Sequence, residues 1–302
     1  MAFTVSDAAV RAAVKVAAGF GLASSEPVVL ADGANVIVHL RPTPVVAKVA
    51  ASTTAVRPDP GAWLQRELDI VQFLAAAGAG TAASAAAAGA GTAAGAPVMT
   101  PSPELPVTIY HGDGHVMSFW RYLRSAGGGL PSEATIGSML RVLHAALRPY
   151  PAPVPVLAPL NDIPAFLARP QTRLGARETA AISAAYTRLT AELDAAPGQL
   201  RMLHGDAGIG NLMNTDTGWV WHDFEDTCSG PVAWDLAAST ANPRRDRERI
   251  LAAYGEPVDR HQLAVCERLR LLHLTVWYAL YAERLPDLRS RADELVALWP
   301  AP

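Results

Sequence analysis

The residues best suited to chemistry stand in His204-Gly205-Asp206-Ala207-Gly208-Ile209-Gly210-Asn211 and in Asp223-Phe224-Glu225. In the first run an Asp is followed five residues later by an Asn. One carboxylate can orient an acceptor hydroxyl and take its proton. An Asn and a second Asp can hold Mg²⁺ against a triphosphate. These are the parts of phosphoryl transfer. Short strands on either side of the turn Thr215-Asp216-Thr217-Gly218 would form a hairpin that folds Asp223 back beside Asn211. Two hard oxygen ligands would then converge on one cation.

This constellation resembles the aminoglycoside phosphotransferase / choline kinase family. His204-Gly205-Asp206 to Asn211 matches that family's H-G-D-x-x-x-x-N loop at every fixed position, and Asp223-Phe224-Glu225 matches its metal-binding D-F/W-E segment. Gly230-Pro231-Val232-Ala233-Trp234-Asp235-Leu236-Ala237 matches its G-P-x-x-W-D-L-A stretch. The resemblance implies Asp206 as catalytic base and Asn211 and Asp223 as magnesium ligands. It implies Asp235 and His204 as structural support for the catalytic loop. The implied fold is α+β and bilobal, protein-kinase-like, with a small antiparallel-sheet N-lobe and a larger, mostly helical C-lobe. The implied activity is transfer of the γ-phosphoryl group of ATP, with GTP as the other candidate donor, to a small-molecule hydroxyl.

The resemblance extends into the first lobe. Val45-Val46-Ala47-Lys48-Val49 is similar to the strand whose Lys contacts the nucleotide phosphates. Its implied partner is Glu67, the only Glu on the following helix, where Asp69 is the only other acid. Asp32-Gly33-Ala34-Asn35 would form the phosphate-covering loop, with Gly33 and Asn35 as contacts. It departs from the protein-kinase pattern in having a single glycine. Ser118, Phe119 and Trp120 lead into the implied interlobe hinge, where backbone groups would meet the adenine edge.

The acceptor is expected on the late helices. Asp226, Trp234, Trp277 and Tyr281 are the candidates, with Tyr278, Glu283 and Asp162 nearby in the pattern. A polycationic acceptor would call for several acids around the base. These helices carry as many arginines as acids, and the aromatic residues suit a sugar ring or another flat molecule. Two lookalikes are set aside. His111-Gly112-Asp113 has no Asn at the right distance and reads as a hairpin turn. His144 sits on a helix with no Cys or carboxylate cluster that would make it a metal ligand.

The elements that must position these residues can be read in outline. A helix over 6–18 precedes three short strands, Val28–Leu30, Asn35–Leu40 and Val45–Ala50, and a helix over about 62–77. Val107–Tyr110 and His115–Trp120 read as a hairpin. Later come helices over 132–148, 176–195 and 260–284, short strands Leu200–His204, Asn211–Asn214 and Trp219–Asp223, and a helix with Pro231 at its first position. The nucleotide-binding lobe is therefore expected over 1–121 and the helical lobe over 122–302. The Ala/Gly-rich stretch at about 78–96 lacks the large apolar side chains that offset ordering entropy, and reads as an exposed insertion.

The 302 residues, half of them hydrophobic and 18% charged, exclude a disordered chain. A net charge of −3 gives no strong field to recruit nucleic acid or an anionic membrane. Two cysteines make no disulfide scaffold, so a cytoplasmic protein is expected, monomeric or homodimeric. A nucleotide-binding pseudokinase that regulates a protein partner is the alternative. It predicts loss of the base or of a metal ligand, whereas Lys48, Asp206, Asn211 and Asp223 are all present.

Overall fold

The computed structural model describes residues 5–79, 96–170, 172–195 and 198–300. The chain divides into two compact units, Met1–Gly128 with Met213–Glu225, and Gly129–Leu212 with Asp226–Pro302. The sequence places the division near residue 121. Here the first unit runs to Gly128 and also takes in the segment that carries Asp223. The Ala/Gly-rich insertion lies, from 80 to 95, outside the described residues.

In the first unit, helix α1 (Val5–Ala18) is followed by strands β1 (Glu26–Asp32), β2 (Asn35–Arg41) and β3 (Val45–Ala50). After helix α2 (Pro60–Leu74) come β4 (Tyr110–Gly112) and β5 (His115–Arg121). The five strands form one antiparallel sheet in the order β1-β2-β3-β5-β4. β3 is buried along its whole length, which explains its run of small and β-branched residues. Lys48 interrupts that run, opposite Ile37 on one side and Ser118 on the other.

Helix α1 lays Ala9, Ala12, Ala13 and Ala17 on this sheet, against Val36, Val38, Val45, Ala47 and Met117. Small residues at helical spacing let the helix come close. Gly112 takes part in that approach, since a Cβ there would meet Val16 Cγ2 at 2.5 Å. Helix α2 starts where Asp59 accepts a hydrogen bond from Ala62 N–H at 3.1 Å, with Pro60 in the first turn. It ends at Leu74, earlier than the sequence suggests, and passes into a single wide turn, Ala75–Ala79.

The second unit is mostly helical. It contains α3 (Glu133–Leu147), α4 (Asp162–Leu167) and α5 (Ala176–Ala195), then β6 (Arg201–Leu203). Strands β7 (Leu212–Thr215) and β8 (Gly218–Trp221), which from Met213 onward belong to the first unit, form the expected hairpin, shifted slightly from the sequence reading. Strand β9 (Cys228–Gly230) and helices α6 (Val232–Thr240), α7 (Arg247–Tyr254), α8 (Arg260–Arg284) and α9 (Arg289–Val296) complete the chain. Pro231 is the residue before α6 rather than its first residue. Gly137 lets α3 cross α7 closely, because a Cβ there would lie 2.3 Å from the Ile250 carbonyl oxygen. Helix α8, capped by Asp259, packs against α5, α6 and α9. No helix among the described residues is long and apolar enough to cross a membrane.

Two elements escape the sequence reading. They are strand β9, which pairs with the expected strand β6 in the register Leu203↔Cys228, and the six-residue helix α4. Elements this short carry too little periodicity to be read. The β6–β9 pair matters because the His204-Gly205-Asp206 loop leaves directly from the end of β6.

Candidate functional site

In the first unit, the buried Lys48 collects carboxylates. Its Nζ donates to Glu67 Oε2 at 2.7 Å and to Asp223 Oδ1, and lies 3.1 Å from Glu225 Oε2. Helix α2 presents Glu67 to two partners, because its other oxygen, Oε1, accepts from Phe224 N–H at 3.0 Å. One carboxylate thus ties strand, helix and the Asp223-Phe224-Glu225 segment together. Strand β8 brings that segment in through backbone pairing of Trp221 with Pro97 and Met99, at 2.9 and 2.8 Å. Asp223 itself is held at φ +66°, a conformation that Asp adopts more readily than most residues.

The electrostatics follow from this crowding. Burial alone would lower the Lys48 pKa, but Asp223, Glu225 and Glu67 outweigh it and raise it well above the usual value. Burial is also the largest influence on Glu67. Lys48 opposes it, Asp223 and Glu225 add to it, and the Glu67 carboxyl is pushed up to about 8. Oxygens of Glu67, Asp223 and Glu225 lie within 4.8 Å of one another, a set of hard donors that suits a divalent cation. Asp223 is the most open of the three, with 34% of its side chain exposed against 2% for Glu67 and 7% for Glu225.

The sequence offered no signal for Arg57. Its guanidinium donates to Glu225 Oε1 at 3.0 Å and stacks 3.6 Å from the Trp63 ring centroid. The side chain of Asn35, on the expected phosphate-covering loop, turns inward. Its Nδ2 donates to Glu225 Oε2 at 3.0 Å. Gly33 faces open space, and its N–H donates to the Asn35 carbonyl at 3.1 Å. Ser118, Phe119 and Trp120 lie inside the sheet with their backbone engaged. The Phe119 carbonyl accepts from Ser102 N–H, and Arg121 N–H donates to the Thr100 carbonyl, both at 3.1 Å. The 100–102 segment thus takes the edge that the sequence reading reserved for adenine, a long-range pairing that no local pattern announces.

In the second unit, Asp235 organises the loop. Its Oδ2 accepts from His204 N–H at 2.8 Å and its Oδ1 from Gly205 N–H at 2.9 Å. His144 Nε2 meets Asp235 Oδ2 at 2.9 Å, while His144 Nδ1 meets Tyr254 Oη at 2.9 Å. His144, discounted as a metal ligand from sequence, is thus part of the buried network under the loop. Gly205 is needed twice over. It has φ +86°, and a Cβ there would lie 1.8 Å from the Asp226 carbonyl oxygen.

Asp206 leaves the loop with 38% of its side chain exposed. Asn211 Nδ2 donates to its backbone carbonyl at 2.7 Å and to Oδ2 at 2.9 Å. With the amide hydrogens so used, Oδ1 is the Asn211 atom that can take a cation. Arg270 donates to the other Asp206 oxygen, Oδ1. Loss of hydration would raise the Asp206 pKa, but the adjacent guanidinium prevails and holds it well below the usual carboxylate range.

Of the acceptor-side candidates, Trp234 donates from Nε1 to the Gly205 carbonyl at 2.8 Å. Trp277 donates to Asp162 Oδ2 at 3.1 Å, and His273 Nε2 sits 3.2 Å from the same oxygen. Burial lowers the His273 pKa despite Asp162. Tyr281 lies against Trp277, with ring centroids 5.5 Å apart.

The family model for the phosphotransferase enzyme family matches residues 53–272. The chain belongs to that family. The matched stretch contains Glu67, Asp206, Asn211, Asp223, Asp235 and Arg270, while Lys48 lies just before it. No curated protein sequence is significantly similar to the chain. A choline/ethanolamine kinase family protein from Mesorhizobium loti is 19% identical, with 94% of this chain and 89% of that one covered and a TM-score of 0.56. The aminoglycoside phosphotransferase APH(2")-IIia, solved with GDP and kanamycin, is 16% identical over 93% and 95% of the chains, with a TM-score of 0.61. Amicoumacin kinase hAmiN, solved with AMP-PNP, Ca²⁺ and Ami, is 12% identical over 95% and 93%, with a TM-score of 0.63. These likenesses show the fold: α+β and protein-kinase-like, with a five-stranded antiparallel sheet and a helical remainder.

Proposed function

We propose that this phosphotransferase-family chain is a small-molecule kinase that moves the γ-phosphoryl group of ATP, or of GTP, to an acceptor hydroxyl. The observation that carries this reading is the Lys48–Glu67–Asp223 set in one unit, together with a braced His204-Gly205-Asp206 loop in the other. Structural neighbours solved with AMP-PNP and Ca²⁺, or with GDP, support nucleotide and divalent-cation use.

The roles divide as the chemistry requires. Lys48 binds the nucleotide phosphates, and Glu67 fixes its ammonium. Asp223 and Asn211 supply oxygens to Mg²⁺, which when bound neutralises charge on the phosphate oxygens. Asp206 aligns the acceptor hydroxyl and accepts its proton. Asp235 and His204 keep the loop in shape.

The acceptor is best read as a molecule held by its hydroxyls and ring rather than by several amines. The carboxylates on or against α8 already have internal partners. Glu283 is held by both Nη atoms of Arg169 at 3.0 and 2.8 Å. Glu267 takes Thr240 and Arg247 at 2.7 and 2.5 Å, and Asp162 takes His273 and Trp277 at 3.2 and 3.1 Å. A sugar-like acceptor fits this better than a polycation. The proposed setting is the cytoplasm, where nucleoside triphosphate is available; the two cysteines are free and buried. The proposed partner is a small molecule rather than nucleic acid or membrane, with the chain a monomer or homodimer.

The test is a panel of hydroxyl acceptors, including neutral sugars, nucleosides, choline and kanamycin. Each is assayed for ADP or GDP release with the magnesium nucleotide. Acceptor-stimulated release is the expected result. Nucleotide binding without turnover on any acceptor or on water would favour a regulatory pseudokinase. A chain that binds no nucleotide by calorimetry would overturn the reading altogether.

A further inference from the structure

Arg270 lies on α8, far in sequence from every motif, yet it grips the Asp206 loop at two points. Its Nη1 donates to the Gly205 carbonyl at 3.1 Å and its Nη2 to Asp206 Oδ1. The side chain is 12% exposed. Its guanidinium carbon lies 5.0 Å from the centroid of the Trp234 ring, and Trp234 Nε1 donates to the same Gly205 carbonyl at 2.8 Å. The fork is thus held from below by an aromatic face and aimed by its own planarity. Asn211 takes the other Asp206 oxygen at 2.9 Å. With Oδ1 and Oδ2 each tied to a different donor, the carboxylate cannot rotate about its last bond without breaking one of them.

We propose that Arg270 is a positioning residue for phosphoryl transfer, which fixes the rotation of the Asp206 carboxylate and the height of the loop through Gly205. The inference rests on the reading of Asp206 as the group that receives the acceptor hydroxyl. A hydroxyl must meet one lone pair of that carboxylate at about 2.6–3.2 Å. Orientation errors of an ångström cost on the order of 10²-fold in rate. Lys in place of Arg would keep the charge but lose the two-point grip.

The experiment is a kinetic double-mutant cycle on the full chain. ADP release from Mg-ATP is measured with the best acceptor of the panel and with water, for wild type, Arg270→Met, Asp206→Asn and the double variant. Arg270→Met is expected to lower kcat about 10- to 100-fold, with the KM for ATP within about twofold. In the Asp206→Asn background the same change should cost less than about threefold, because Arg270 then has no carboxylate to aim. An Arg270→Met chain with wild-type kcat, or one whose loss is as large in the Asp206→Asn background, overturns the proposal. Should Arg270→Met fail to fold, Arg270→Lys takes its place. A lower kcat at constant KM supports the proposal, and an unchanged kcat overturns it. Full activity of Asp206→Asn would overturn the reading of the base itself, and the proposal with it. An inactive Asp206→Asn beside a fully active Arg270→Met would overturn only the role of Arg270. A wild-type chain that releases no ADP overturns both.

Discussion

Lys48 Nζ sits 2.7 Å from Glu67 Oε2, and both groups are buried. This pair is surrounded by two further carboxylates, so the lysine has more negative partners than it can neutralise. Glu67 is shifted by its burial first and by this crowding second. Its carboxyl titrates at about 8 in the folded chain and at about 4.3 when unfolded. Between those values the folded state holds a proton that the unfolded state has released, so stability falls as pH rises through the window. Urea-unfolding midpoints of the cation-free chain should therefore decline between about pH 5 and pH 8. Glu67→Gln, which cannot titrate, should lose that component. Parallel profiles for the two proteins would show that Glu67 is not the group responsible.

Asp206→Asn keeps the size of the side chain, but its single oxygen can accept from Arg270 or from Asn211 and not from both. It cannot accept a proton. Positioned acid–base groups are worth roughly 10²–10⁴ in rate. Steady-state kinetics should show kcat falling by that order, while calorimetric affinity for Mg-ATP stays near the wild-type value. Turnover close to wild type would remove Asp206 from the reaction.

The sequence showed these groups unevenly, for physical reasons. Asp206, Asn211, Asp223 and Asp235 stand in short contiguous motifs because one loop, one turn and one helix start must each hold a fixed shape. Helices 176–195 and about 260–284 are legible because long amphipathic segments repeat their pattern many times. Arg57 and Arg270 were invisible. Each acts through a contact formed only on folding, and a single Arg in a loop or on a long helix carries no spacing signal. The pairing of 100–102 with Phe119 and Arg121 was hidden likewise, since irregular backbone can complete a sheet edge without any strand-like alternation.

Gly205 offers a test of the loop that does not depend on any ligand. Its φ of +86° is strained for an alanine, and the added Cβ would press to 1.8 Å from the Asp226 carbonyl. The neighbour is backbone and cannot rotate away. Gly205→Ala must therefore displace the loop or the 226 segment, loosening the two N–H bonds to Asp235. Strain of about 1–3 kcal/mol adds to the cost of buried donors left unmet. Thermal unfolding should show a clearly lowered Tm, and ADP release should fall to near background. An alanine variant with wild-type Tm would mean that the loop does not need this conformation.

Asp223 and Asn211 separate under mutation because they contact different groups. Asp223→Asn suits the left-handed backbone at φ +66°, which Asn tolerates about as well as Asp. It removes one charge from the crowd around Lys48. Stability should then hold, or rise slightly, while the affinity for Mg-ATP drops by about tenfold or more, roughly 1.4 kcal/mol per decade. ATP without magnesium should bind nearly as before, since the carboxylate acts on the cation. Asn211→Ala loses an oxygen ligand too, but it also strips Asp206 of two amide donations at 2.7 and 2.9 Å. It should therefore lower kcat as well as Mg-ATP affinity. Titration calorimetry with and without Mg²⁺, alongside steady-state kinetics, distinguishes the two. Magnesium-dependent affinity that survives both substitutions would place the cation on other residues.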